Sequence, residues 1–176
     1  MRPGWLPELV LFEHSENDWE KYLKVLYDYF LADFVCSKPA FRGKKVAIKR
    51  YPLAEDGKEA TFWHIISEGD TEDERIPDLR RCERIRWPKP VIEHSEDNEI
   101  KVWENDRKGE KRICIWFEAM EYLVVLAKRK DIILFWTAYL ITKEHRKKKL
   151  IKEFEEFKKA GDAQKGGAVT PSTRGR

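Results

Sequence analysis

Cysteine is scarce and poorly placed for chemistry. Three thiols, Cys36, Cys82 and Cys114, are scattered through 176 residues with no CxxC spacing. An odd, dispersed count excludes a disulfide framework and a zinc ribbon, and it fits reduced thiols in a cytoplasmic protein. Histidine is equally sparse. His14, His64, His94 and His145 are too far apart to suggest a metal centre. No Walker loop, GxGxxG, HExxH or GxSxG occurs, so nucleotide-binding, zinc-protease and serine-hydrolase readings lose their usual support. The longest apolar run, Ile132 to Ile141, is interrupted by Thr137. It is much shorter than the ~20 residues a membrane helix needs. Met1 to Trp5 carries no signal-peptide core. The expectation is therefore a soluble protein with no cofactor, no metal and no membrane partner.

Charge and aromatic residues are abundant. Charged residues make up 38% of the chain and aromatics 12%, yet the net charge is only +3. The aromatic content excludes a wholly disordered chain. Near-neutrality excludes a bulk polycation, so any attraction for nucleic acid has to come from local clusters.

Periodicity predicts an α+β fold. Asn17 and Glu20 have capping-box spacing, and Trp19, Tyr22, Leu23, Leu26, Phe30 and Phe34 follow at helical steps. Lys38-Pro39 to Gly43 breaks this helix. Val46 to Tyr51 reads as a short strand and Asp56-Gly57 as a turn. Thr61 to Ile66 fits either a strand or a buried helix. Glu68 to Glu74 is an acidic, exposed stretch. Pro77 is suited to start a helix with Leu79, Cys82 and Ile85 as its apolar stripe, and Pro88 and Pro90 to end it. A C-terminal antiparallel meander of about four strands follows: Ile100 to Glu104, Arg112 to Glu118, Tyr122 to Arg129 and Ile132 to Ile141. A terminal basic amphipathic helix runs from Lys143 to Lys159, with Leu150, Phe154 and Phe157 on its buried stripe. The expected organisation is a single domain over residues 1–160 and a disordered tail over 161–176.

Two clusters carry positive charge. Arg75 to Lys89 holds six cations against two carboxylates, with Arg80, Arg81 and Arg84 on or near one helix face. Guanidinium forks grip phosphate oxygens in pairs, although a solvated face is the ordinary use of such a run. His145 to Lys149 is the second cluster, with His145 and Arg146 as candidate substrate contacts. Arg50 and Arg129, at strand ends, are weaker ones. For proton transfer the candidate is His64, whose apolar neighbours Phe62 and Trp63 would hold its pKa near or below neutrality. A core histidine with one hydrogen bond is the plainer reading. Thr137 and Tyr139, two apart on a strand, share a face and are the polar side chains of an otherwise apolar run. Buried hydroxyls need partners, and a cleft holding sugar or phosphate would supply them.

These residues and the element order resemble the small nucleases of the barnase–EndoU–colicin–RelE (BECR) group, over residues 60–142. The resemblance implies helices followed by a four-stranded antiparallel sheet, with the active site on the sheet face. It implies His64 as general acid or base, an arginine among Arg80, Arg81 and Arg84 on phosphate, and Thr137 with Tyr139 as the Ser/Thr-x-Tyr pair of the last strand. It also implies metal-independent RNA cleavage by 2′-hydroxyl attack, RNA as partner, and an antitoxin protein as a candidate partner, since many of the group are toxins or phage effectors. The long N- and C-terminal helices depart from the minimal plan, and no second catalytic histidine or glutamate stands out. A non-catalytic RNA- or ribosome-binding protein using the same basic faces, and a structural or interaction protein, are the alternatives.

Overall fold

The computed structural model describes residues 1–166. Helix α1 spans Trp19–Phe30. Its cap is Asp18, whose carboxylate accepts the Lys21 N–H at 3.0 Å. Asn17 is not the cap; it sits one residue earlier with a left-handed φ of 56°. Tyr22, Leu26 and Phe30 are buried, and a wider π-type turn over Leu31–Cys36 carries Phe34 into the same core. Strands β1 (Ala40–Phe41) and β2 (Lys44–Ala47) form a small hairpin.

The ambiguous segment is helix α2, Ala60–Ile66. Thr61, Phe62, Ile65 and Ile66 turn inward at helical spacing. Next come β3 (Ser67–Glu68), β4 (Ile76–Pro77) and α3 (Leu79–Glu83). Pro77 lies in the strand rather than in the first helical turn, and Asp78 caps α3. Of the expected stripe, Cys82 and Ile85 are buried but Leu79 is 47% exposed. Pro88 does not close that helix: it occupies the first turn of a further one, α4 (Pro88–Glu93). There its missing N–H costs nothing.

The meander is present; its first hairpin reaches further toward the turn than periodicity suggests, its third strand has the expected limits, and its last stops one residue short. β5 is Ile100–Arg107, β6 Glu110–Phe117, β7 Tyr122–Arg129 and β8 Ile132–Leu140, each antiparallel to the next. The β5–β6 connection is only Lys108-Gly109, with φ of 54° and 77°. Two positive φ values in a two-residue loop match the strand twist, which is why glycine follows there.

The sheet differs from the expected four-stranded antiparallel one. It has six strands in the order β1-β2-β8-β7-β6-β5, and β2 joins β8 in parallel. One face packs on α1 to α4 through Phe34, Phe62, Ile92, Ile115, Val124 and Phe135. The other packs on α5 (Glu144–Gly166) through Trp103, Trp116, Leu123 and Leu150. With both faces covered, Ile113–Phe117 and Tyr122–Ala127 are buried without alternation. Helix α5 continues past Lys159, so residues 161–166 of the expected tail are helical; residues 167–176 lie outside the described residues. Among the described residues no helix is long and apolar enough to cross a membrane.

Candidate functional site

Helix α5 covers only part of its sheet face. Beside it lies a trough of about 1470 Å³. The floor is the outward side of β5 to β8, including Asn105, Arg112, Val125, Trp136, Thr137 and Tyr139. One wall is the start of α5 with Lys143, Arg146 and Lys149. The other is built by α2, α3 and the β3–β4 connection, with His64, Glu68, Asp70, Arg75, Asp78, Arg80 and Arg81. The β5–β6 turn contributes Arg107, Lys108 and Glu110 at a further edge. The lining thus holds nine cationic side chains against four carboxylates.

The floor is shaped by a β-bulge. Leu126 pairs with Phe135 and Val125 with Thr137, so Trp136 is an extra residue with no partner on β7. A bulge turns two successive side chains toward one side. Trp136 and Thr137 both reach the trough, and Tyr139 follows two residues on. The core face of β8 is kept by Ile133 and Phe135 before the bulge and Ala138 after it.

Trp136 organises the deep end. The His64 ring meets it edge-on at 5.6 Å between centroids. The Arg112 guanidinium lies over it, with Cζ 4.2 Å from the ring centre. Arg112 also donates to Glu110 at 2.6 Å, and its side chain is only 13% exposed. Among the described residues no protein acceptor meets its Nε. Arg81 sits over the Tyr139 ring at 5.1 Å and donates to Thr137 Oγ1 at 3.3 Å. Arg75 donates to the carbonyls of His64 and Ser67, each at 3.4 Å, and so ties the end of α2 to β4. Three half-buried guanidiniums therefore converge on one imidazole, and two of them lie over aromatic rings.

The electrostatics follow. Burial, then Arg75, Arg81 and Arg112, hold His64 down at about 4, so the imidazole is neutral at physiological pH. Burial also works against the Arg81 charge, while Glu68 and Asp78 support it. Cys114, on the floor, is pushed up to about 12 by burial, which leaves it a thiol rather than a nucleophile. Among the described residues, no group of three or more His, Cys, Asp or Glu is placed to hold a metal ion.

Of the expected residues, the trough gathers His64, Arg80, Arg81, Thr137, Tyr139 and Arg146. Arg84 is not among them. It lies over Trp87 at 5.0 Å, pairs with Glu83 at 3.3 Å and donates to the Arg80 carbonyl. Arg50 is exposed beyond β2, and His145 is exposed on α5 but off the trough. Arg129 bonds Glu110 at 2.9 Å, from outside the lining. The expected site residues did not include Arg112 or Trp136, and Arg75 entered only as one cation of the run to Lys89. The signal for Arg112 was a cation opening the apolar run Ile113 to Phe117, a pattern most strands use simply to reach solvent. Comparison with family models, curated proteins and solved structures finds no match for this chain.

Proposed function

We propose that the chain is a metal-independent endoribonuclease of the kind its sequence resembles. The observation that supports this is the meeting of His64, Arg81, Arg112, Thr137 and Tyr139 in one trough. Neutral His64 takes the proton of a ribose 2′-hydroxyl. The freed oxygen attacks the adjacent phosphorus, a bond to that oxygen forms, and the bond to the 5′-oxygen breaks to leave a 2′,3′-cyclic phosphate. Arg81 and Arg112 face the charge that grows on the phosphoryl oxygens, and being pre-oriented they need little reorganisation. Tyr139, which lines the trough, gives the proton to the leaving 5′-oxygen. An imidazole held at about 4 is a weak base. A bound phosphate beside it offsets the guanidinium charges and raises its pKa, so substrate arms its own base.

The test is purified protein with RNA in EDTA. Cyclic-phosphate ends, loss of cleavage in His64→Ala, and inertness of a substrate 2′-deoxy at the cut position are the expected results. Intact RNA with wild-type protein would overturn the reading. The low basicity of His64 favours a second reading, a non-catalytic RNA-binding trough. That reading expects binding without cleavage, and His64→Ala would leave affinity nearly unchanged.

A further inference from the structure

The trough is electrically lopsided. The deep guanidiniums, Arg75, Arg81 and Arg112, are half-buried. On the rim, Lys143 just before α5 and Arg146 and Lys149 in its first turns are exposed, three residues apart each time. That spacing keeps side chains on neighbouring turns of one side, about 4.5 Å apart along the axis. The opposite wall balances Glu68, Asp70 and Asp78 against Arg75, Arg80 and Arg81, with Glu68 and Asp70 on either side of Gly69. Gly69 has no room for a side chain: an added Cβ would lie 2.9 Å from the Glu74 carbonyl oxygen. This holds the acidic turn against the backbone before Arg75.

Neighbouring Lys147 is not part of the rim track. It bridges Glu121 and Glu144, and so clamps the start of α5 to the β6–β7 connection. The three track cations have no ion pair of this kind among the described residues. The α5 side is the stretch of the lining that carries cations and no carboxylate, which favours it as the path of a polyanion out of the deep pocket.

We infer that the α5 wall is an extended phosphate-binding site. The RNA strand leaves the pocket along Lys143, Arg146 and Lys149 and avoids the β3–β4 side, so several nucleotides flanking the scissile one contribute affinity. This deepens the proposed function and rests on RNA being the trough's ligand. It adds a dependence on substrate length that a single-nucleotide pocket would not show.

The experiment measures binding of 2′-O-methyl RNA, which offers no 2′-hydroxyl to attack, so cleavage plays no part in the readout. A dinucleotide and a dodecamer are titrated against wild type and against the triple variant Lys143→Ala, Arg146→Ala, Lys149→Ala, with circular dichroism confirming the fold. Each phosphate contact on a single strand adds about 0.7 to the slope of log affinity against log salt. Three contacts make the wild-type slope steeper by about 2, so between 50 and 200 mM salt wild type loses roughly twentyfold more dodecamer affinity than the variant. Dinucleotide binding is expected to match in the two proteins. Glu68→Gln with Asp70→Asn is expected to tighten the dodecamer or leave it unchanged. Equal salt slopes in wild type and triple variant, or equal losses for both lengths, would overturn the inference. So would weakening by the acidic-wall variant. Cleavage of ordinary RNA, assayed separately, reports on the nuclease reading alone: a length effect without cleavage keeps the track and removes the enzyme, and cleavage without a length effect does the reverse.

Discussion

The two faces of strand β8 are built for opposite purposes. Toward α1 to α4 the strand presents Ile133, Phe135 and Ala138, all buried, with Phe135 stacked on Phe34 at 4.7 Å between ring centroids. Toward the trough it presents Trp136, Thr137 and Tyr139, all partly open and each in contact with a cation or an imidazole. The first face lowers free energy by removing apolar area from water. The second gathers like charges around a half-buried imidazole, which opposes folding until an anion arrives. Stability and site chemistry should therefore separate by strand face, with the bulge at Trp136 putting Phe135 and Thr137 on opposite faces although they are two residues apart.

The largest expected effect tests the sealed face. Phe135→Ala should cost about 3–5 kcal/mol, the range for deleting a buried aromatic. Thr137→Ala, two residues along, should stay within about 1 kcal/mol and, on the proposed function, lower RNA cleavage. Urea unfolding of both variants checks this, and comparable losses would mean that the trough face is itself core.

A smaller effect concerns pH. His64 takes a proton near 6.5 when unfolded and only near 4 when folded. The folded state withholds protonation, so its stability is complete above the unfolded value and falls as the pH drops from 6.5 toward 4. By pH 4.5 the loss amounts to roughly 2–3 kcal/mol. Carboxylates elsewhere also respond to acid, so the measurement is the difference between wild type and His64→Gln at pH 7 and pH 4.5. The variant should have the shallower decline, and parallel curves would show that the imidazole is not held neutral.

Next is the latch of α5 on the open face. Glu153 accepts from the Trp103 indole at 3.2 Å and from Asn105 at 3.1 Å. Glu153→Ala leaves a buried indole N–H without its acceptor and should cost about 1–3 kcal/mol. Hydrogen exchange along α5 would then rise ahead of exchange in β6 and β7; uniform exchange would show that α5 and the sheet open together. The smallest effect is that of Arg129→Ala, within about 0.5 kcal/mol, because its partner Glu110 keeps its bond to Arg112.

The sequence made the meander legible because its turns are short and chemically marked. Tyr122–Arg129 falls between a turn at Glu121 and another at Lys130, both with positive φ, so its limits could be read directly. The parallel β2–β8 pairing was hidden, since it joins residues more than eighty apart and involves only Val46 and Ala47. Pro88 misled because a proline that ends one helix and a proline that begins the next look alike without the cap. The hydroxyl pair and His64 could be found because polar groups in apolar runs need partners. Arg112 and Trp136 could not, because what sets them apart is contact with each other across two strands.

The irregularity at Trp136 separates architecture from chemistry within one element. Ignoring that residue, inward and outward positions alternate without interruption from Ile133 to Leu140. The indole is thus a guest inserted into a ladder already in phase. Excising it would shorten the chain by one residue and restore ordinary pairing, with every remaining side chain still aimed as before. The scaffold would survive that deletion, while the imidazole and the guanidinium beside it would lose the surface that brings them together.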